Sequence, residues 1–332
     1  MSGRAPSVAA YRDGVRAGDR RMVAKAITLL ESRRAEHAEV GQAVLEALVP
    51  FTGGAVRLGV TGTPGVGKSS FIEALGLHLV GLGRQVAVLA VDPSSPRSGG
   101  SILGDKTRME RLAQEPTAFI RPSPSGGSLG GVAHRTRETL LVCEAAGFDV
   151  VIVETVGVGQ SEAAVASMVD FFAVLLQPGA GDELQGMKKG VLELADALVV
   201  NKADGDLRDA ARRAALEYQH ALDLLRPASA HWRPPVLLAS AGTGEGIGAF
   251  WETVLAHREA LGTSGELELR RREQARAWMW SLVEEGLARA FRGHPGVARA
   301  IPALEAEVEA RKTTPAAAAR ALLRAFGHPP RG

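Results

Sequence analysis

Short β-rich, mostly apolar runs recur through the middle of the chain at Val56 to Thr61, Val86 to Val91, Val150 to Val153, Phe171 to Leu176, Ala197 to Val200 and Val236 to Ala239. Amphipathic stretches of helical period separate them. A strand covered on one face alternates apolar with polar residues, whereas a continuous run predicts a strand buried on both faces. Alternation of such strands with helices predicts an α/β fold: a mostly parallel sheet covered by helices on both faces. Ahead of the first run, residues 8 to 50 carry helical stripes, first Val23, Ala26, Ile27 and Leu30, then Val40, Val44, Leu45 and Leu48. Beyond Gly262 the composition shifts to Ala, Arg, Glu and Leu. A long helix is expected from near Glu266, with the stripe Met279, Leu282, Val283, Gly286, Leu287, Ala290 and Phe291, stopped by Gly293-His294-Pro295. A second helix is expected after Pro302, and a third from the N-cap Thr314-Pro315 to Gly327. The pattern therefore predicts an N-terminal helical extension (1–50), a sheet domain (51–262) and a C-terminal helical arm (263–332). The arm either packs back on the sheet domain or buries its stripe on a second copy, with Trp278 and Trp280 as anchors; the second reading is preferred and predicts a homodimer.

Each predicted strand feeds a polar or glycine-rich loop at its carboxyl end, where open α/β sheets bind ligands. The first is Gly62-Thr63-Pro64-Gly65-Val66-Gly67-Lys68-Ser69, a complete G-x-x-x-x-G-K-S pattern that runs through Ser70 into the apolar stretch Phe71 to Leu79. Glycines let the backbone bend around phosphates with its N–H groups inward, and the helix start that follows favours anions. Lys68 supplies a charge for the β/γ-phosphates and Ser69 a hydroxyl for Mg²⁺. The base is read downstream, where Ala197 to Val200 ends in Asn201-Lys202-Ala203-Asp204, an N-K-x-D pattern. A carboxylate accepts only, so Asp204 suits the two N–H groups on guanine's N1/N2 edge and finds no such pair on adenine. Ser240-Ala241-Gly242 fits a loop whose backbone N–H groups meet the guanine O6. These residues predict GTP and GDP as ligands.

Three further loops bear on the metal and on switching. Asp92, at the end of Val86 to Val91, either reaches Mg²⁺ through its water shell or opens a turn before Pro93. In the Gly- and Ser-rich segment that follows, Asp105 is a second candidate for the metal shell. Glu154-x-x-Gly157 stands where many GTPases carry D-x-x-G: Glu154 is a carboxylate for the metal or the attacking water, and the Gly157 N–H can meet the γ-phosphate. Gln160 sits two residues beyond the position adjacent to Gly157, a weak fit to a water-orienting role. The segment Gln177 to Gly190 is again glycine-rich and charged, either a plain surface loop or a partner-sensing element. No arginine finger has a positional signal, so slow intrinsic hydrolysis is expected until a partner completes the site.

Composition narrows the class. The formal charge is +2 and the arginines are scattered or stand beside glutamates, as in Arg270-Arg271-Arg272-Glu273, so no nucleic-acid patch is indicated. The single cysteine, Cys143, excludes an intramolecular disulfide and a multi-cysteine metal site, and reads as a small buried residue on a helix. No apolar run has membrane length and no secretory signal opens the chain, so a soluble cytoplasmic protein without membrane partners is expected.

Taken together, Val91-Asp92-Pro93-Ser94-Ser95-Pro96, Gly99-Gly100-Ser101-Ile102-Leu103-Gly104-Asp105, Glu154-Thr155-Val156-Gly157-Val158-Gly159-Gln160-Ser161 and Gln177-Pro178-Gly179-x-Gly181-Asp182 resemble the MeaB family of methylmalonyl-CoA mutase-associated GTPases. The resemblance implies a phosphate-loop GTPase of the signal-recognition and metallochaperone type. It implies a chaperone of an adenosylcobalamin-dependent acyl-CoA mutase that gates cofactor delivery from an adenosyltransferase, protects the mutase and helps eject damaged cobalamin, the cobalamin being bound by the partner. It also implies that Asp92, Asp105 and Glu154 lie near Mg²⁺, and that Lys188 belongs to a third switch that moves toward the nucleotide when the mutase docks. Two alternatives share the phosphate loop. A GTPase for nickel-enzyme maturation would carry clustered Cys or His ligands, and the eight histidines here do not cluster. A small-molecule kinase would have no use for a guanine-reading Asp204.

Overall fold

The computed structural model describes residues 6–32, 34–91, 109–122, 129–155, 161–178, 189–225 and 228–327. Seven strands form one sheet: β1 Val56–Gly62, β2 Val86–Val91, β3 Ala118–Arg121, β4 Val150–Thr155, β5 Phe171–Leu176, β6 Ala197–Val200 and β7 Val236–Leu238. Their order is β3-β2-β4-β1-β5-β6-β7 and every pairing is parallel. The expected α/β architecture is therefore present. The pattern of apolar runs misses β3, a four-residue edge strand whose Ala118-Phe119-Ile120-Arg121 is too short to stand out. It also stops β4 early, since the strand runs on through Glu154 and Thr155.

Because successive side chains in a strand point to opposite faces, each interior strand feeds two cores. On one face Ala87, Leu89, Val91, Val151, Val153, Phe172, Val174, Leu176, Leu198 and Val200 are buried. They share that core with residues of helices α1 Val8–Arg16, α2 Arg20–Glu31 and α3 Ala35–Leu48. Cys143 lies there too, on the helix Leu129–Ala145, and burial pushes its thiol pKa well up, as a packing residue should show. On the other face Leu58, Val60, Val88, Ile152, Phe171, Ala173, Leu175 and Val199 are buried. Here they meet α4 Lys68–Gly81 and the helix Ile247–Thr263, which touch through Phe71 and Phe250, ring centroids 5.1 Å apart. The strand β7 departs from the expectation of two-sided burial: its three residues are all half-buried, as an edge strand allows.

At the amino ends of the strands, opposite the phosphate loop, a buried ionic network replaces apolar packing. Arg57 on β1 makes a two-pronged contact with Glu144 at 2.9 and 2.8 Å. Arg271 donates to both oxygens of Asp170 at 2.7 and 2.6 Å and to the carbonyls of Gly53 and Ala55. Arg270 donates to Asp196 and to the Asp170 carbonyl. The sequence places Arg270 and Arg271 beside a glutamate; the fold instead pairs them with aspartates at the starts of β5 and β6. Burial alone would lower the Arg271 pKa, but the Asp170 hydrogen bond and charge more than offset it, and the guanidinium stands raised.

The chain divides into two compact units, Met1–Arg271 and Arg272–Gly332. The helix Glu266–Gly293, present where its periodicity predicts it, runs across this division. In the second unit Pro295–Glu309 is one helix with Pro302 inside it, so the expectation of a helix starting after Pro302 is corrected. His294 is the N-cap and Pro295 occupies the first turn, where its missing N–H has no intrahelical acceptor to lose. The last helix, Pro315–Ala325, starts where predicted, with the Thr314 hydroxyl accepting from the Ala317 N–H at 3.2 Å. Phe291 and Phe326 pack edge to face at 5.3 Å, while Met279, Trp280, Leu282, Val283 and Leu287 remain exposed within this unit. No helix among the described residues is long and apolar enough to cross a membrane.

Candidate functional site

The phosphate loop joins β1, the central strand, to α4. Two of its glycines are required by their surroundings. Gly62 has φ +153°, and a Cβ there would lie 2.6 Å from the Leu175 carbonyl oxygen. Gly67, the N-cap of α4, has φ +93°, and its Cβ would lie 2.8 Å from the Asn201 Nδ2. Val66 is fully buried and pins the loop to the core under the sheet, while Pro64, Gly65 and Ser70 are exposed and Thr63 is half-buried. Lys68 folds back over the loop: its Nζ donates to the Gly62 carbonyl at 2.7 Å and the Thr63 carbonyl at 3.1 Å. Its ammonium thus lies over the α4 start, where an anion is attracted by backbone N–H groups and helix dipole together.

Next to Lys68, the Ser69 hydroxyl donates to Glu154 Oε1 at 3.0 Å. Glu154 is paired across the sheet with Val60 of β1 and Ala90 of β2, and is 6% exposed. One step further along the strands, the hydroxyls of Thr61 and Thr155 share a buried hydrogen bond of 2.7 Å that locks the carboxyl ends of β1 and β4 together. This threonine pair is a site feature that sequence reasoning missed. Its only signal is that Thr155 directly follows Glu154 and Thr61 directly precedes the loop. Ser69 and Glu154 offer hard oxygen donors side by side, a fit to Mg²⁺, which takes one or two carboxylates and fills its other positions with water and phosphate. No cluster of three His, Cys, Asp or Glu occurs among the described residues.

The N-K-x-D segment sits beside the loop and not apart from it. Asn201 is 1% exposed; its Nδ2 donates to the Val66 carbonyl at 2.9 Å and its Oδ1 accepts from the Ala241 N–H at 3.3 Å. The side chain therefore tethers the phosphate loop to the segment after β7. Lys202, at φ +59°, donates from Nζ to the Gly65 carbonyl at 2.8 Å, so its aliphatic stem lies along the loop. Asp204 accepts from the Ser240 hydroxyl. Ser240 in turn accepts from the Thr243 N–H at 3.1 Å, and Ser240 N–H donates to the Glu245 carbonyl at 2.9 Å. This brings Ser240, Ala241 and Gly242 over the carboxylate in a tight turn. Arg208 closes the turn from outside through Glu245 at 2.6 Å, a contact with no sequence signal. The fold brings Gly62 to Ser70, Glu154, Asn201, Lys202, Asp204 and Ser240 to Gly242 to one edge of the sheet. Asp92, Asp105, Gly157, Gln160 and Lys188 lie outside the described residues.

An all-parallel sheet with a phosphate loop on its central strand, a serine and a strand-end carboxylate beside it, and an N-K-x-D segment tied to that loop defines a P-loop GTPase. The family model described as methylmalonyl-CoA mutase-associated GTPase MeaB matches residues 23–295. The chain belongs to that family. It is similar to a protein of Caulobacter vibrioides named for GTPase activity, 57% identical over 311 residues, spanning 94% of this chain and 95% of the relative. It is also similar to the mouse mitochondrial methylmalonic aciduria type A homolog, 46% identical over 326 residues, spanning 94% of this chain and 78% of the relative. A crystal structure of a LAO/AO transport system kinase superposes with TM-score 0.79 at 38% identity, covering 99% of this chain and all of that one. The chain is a GTPase, and the family to which it belongs is associated with methylmalonyl-CoA mutase.

Proposed function

We propose that this protein is a GTP-driven chaperone of an adenosylcobalamin-dependent acyl-CoA mutase. It gates loading of the cofactor from an adenosyltransferase, protects the mutase and helps reactivate it, with cobalamin held by the partner enzyme. The observation that carries the reading is the match of residues 23–295 to a family defined by its association with methylmalonyl-CoA mutase. On this reading the loop N–H groups and Lys68 hold the β/γ-phosphates, and Asp204 reads guanine. Ser69 and Glu154, with Asp92 and Asp105, hold Mg²⁺, whose chemistry when bound is to neutralise charge on the β- and γ-oxygens.

The contact between Ser69 and Glu154 supports a switch. Glu154 lies three residues before Gly157, so a nucleotide that engages the serine acts on the strand end from which that segment departs. Hydrolysis breaks the γ-phosphate contact and releases it. The exposed apolar stripe Met279, Trp280, Leu282, Val283 and Leu287 supports a homodimer formed through the C-terminal arm.

The test is GTP turnover by the protein alone and with each candidate acyl-CoA mutase, ATP serving as control nucleotide. Slow turnover raised at least about tenfold by one mutase, about 1.4 kcal/mol of barrier, is the expected result. Equal rates with every mutase would remove the chaperone reading and leave a GTPase with another client. Two substitutions resolve the parts. Asp204→Asn is expected to loosen GTP by about 10²-fold, roughly 2.7 kcal/mol, without tightening ATP, as read by titration calorimetry. Lys188→Ala is expected to keep nucleotide affinity near that of the native chain while blunting mutase-stimulated hydrolysis; undiminished stimulation would take Lys188 out of the switch.

A further inference from the structure

Away from the nucleotide edge, the N-terminal helices enclose a groove of about 830 Å³ that neither the GTPase site nor the family match assigns. Its lining comes from α1, α2, α3 and the helix Leu129–Ala145. The apolar part includes Tyr11 and Leu29, both buried, so the groove surface rests on packed core. Its polar part is dominated by Arg21, Lys25, Arg34 and Arg135. Among the described residues none of these four forms an ion pair or a side-chain hydrogen bond. The single carboxylate of the lining, Glu31, is already engaged by Arg121. His37 adds a ring nitrogen, held 2.7 Å from the Ser32 hydroxyl.

Arg21, Lys25 and Arg34 are exposed and Arg135 is half-buried, so the rim gathers four like charges around one concavity, where they repel one another. An apolar surface rimmed by cations suits a ligand that is anionic at one end and apolar or aromatic along the other. The volume lies in the range of small-molecule sites, and the planar, two-pronged guanidinium geometry holds phosphate oxygens well.

We propose that this groove binds a phosphorylated small molecule carrying a heterocycle or short apolar chain, of the class of nucleotide-tailed coenzymes. The choice of coenzyme A as probe rests on the functional reading above, since the clients proposed there act on coenzyme A thioesters; the binding site itself does not.

The experiment is titration calorimetry of coenzyme A into the full-length protein saturated with GDP and Mg²⁺, which blocks the phosphate loop, at about 0.15 M salt where surface charge is screened beyond about 8 Å. Saturable binding is expected, loosened at least about tenfold by Arg34→Glu and by Arg135→Gln, with GTP turnover unchanged in both variants. Inorganic pyrophosphate is expected to bind more weakly than coenzyme A, because it leaves the apolar surface bare. Absence of binding, equal affinity in the variants, or competition by added GTP would overturn the proposal. Tighter binding of an acidic peptide than of coenzyme A would overturn it in favour of a protein partner. Mutase stimulation, measured separately on the same variants, reports on the chaperone reading, so the two can fail independently.

Discussion

A Lys68→Ala variant is expected to turn GTP over about 10³-fold more slowly than the native chain, about 4 kcal/mol of lost transition-state stabilisation. The ammonium sits on the first turn of Lys68–Gly81 and is held over the loop by the Gly62 and Thr63 carbonyls. No other lysine or arginine makes those contacts among the described residues; Lys202 is spent on Gly65 on the far side of the loop. Charge that develops on the transferring phosphoryl group would then lose this ammonium and rely on the backbone dipoles and the bound Mg²⁺. Alanine is the best helix former, so the variant should fold as the native protein does. Single-turnover hydrolysis with saturating GTP reads the effect, and a loss smaller than about tenfold would remove Lys68 from the phosphate site.

Asp196→Ala should destabilise the first unit by about 3–5 kcal/mol, a large share of the roughly 5–15 kcal/mol typical of a folded domain. Asp196 is 6% exposed. Its Oδ2 accepts from the Phe172 N–H at 2.9 Å, Arg270 reaches it at 3.1 Å, and His257 stands at 3.4 Å, its ring edge-on to Phe171 and Trp232 at 5.0 Å from each. Removing the carboxylate takes the charge partner from the half-buried Arg270 guanidinium and the acceptor from the buried Phe172 N–H at once. Burial by itself would raise this carboxyl's pKa, but His257, 3.4 Å away, and the Arg270 charge more than offset it, and the pKa is lowered. A depressed carboxylate contributes stability that is fully present above its unfolded value near 3.9 and is lost as pH falls through the folded value. The native protein should therefore lose stability in acid below about pH 4 more steeply than the variant. Chemical denaturation followed across pH measures both; parallel acid profiles would exclude Asp196 as their source.

Much of this molecule was legible from its apolar pattern and a few short motifs. Six of the seven strands announce themselves as mostly apolar runs, because interior strands buried on both faces leave little polar alternation. The loops Gly62 to Ser69 and Asn201 to Asp204 are legible for a chemical reason: phosphate and guanine impose residue types at fixed local spacing. Edge strand β3 was not legible, being only four residues long, nor was the continuation of the helix Pro295–Glu309 through Pro302, where the local breaker rule did not hold.

Sequence alone determined the α/β class, the phosphate-loop pattern and the N-K-x-D pattern, since each depends on residues adjacent in the chain. Only the tertiary structure decided the rest. It made Asn201 a tether between the Val66 carbonyl and the Ala241 N–H, 135 and 40 residues away in the chain. It joined Thr61 to Thr155, and matched Arg270 and Arg271 to Asp196 and Asp170 instead of to their neighbouring glutamate. It gathered Arg21, Lys25, Arg34 and Arg135 around one groove. The physical reason is common to all four: each depends on surfaces distant in the chain that meet only once the fold has formed, and no local spacing encodes which surfaces those are.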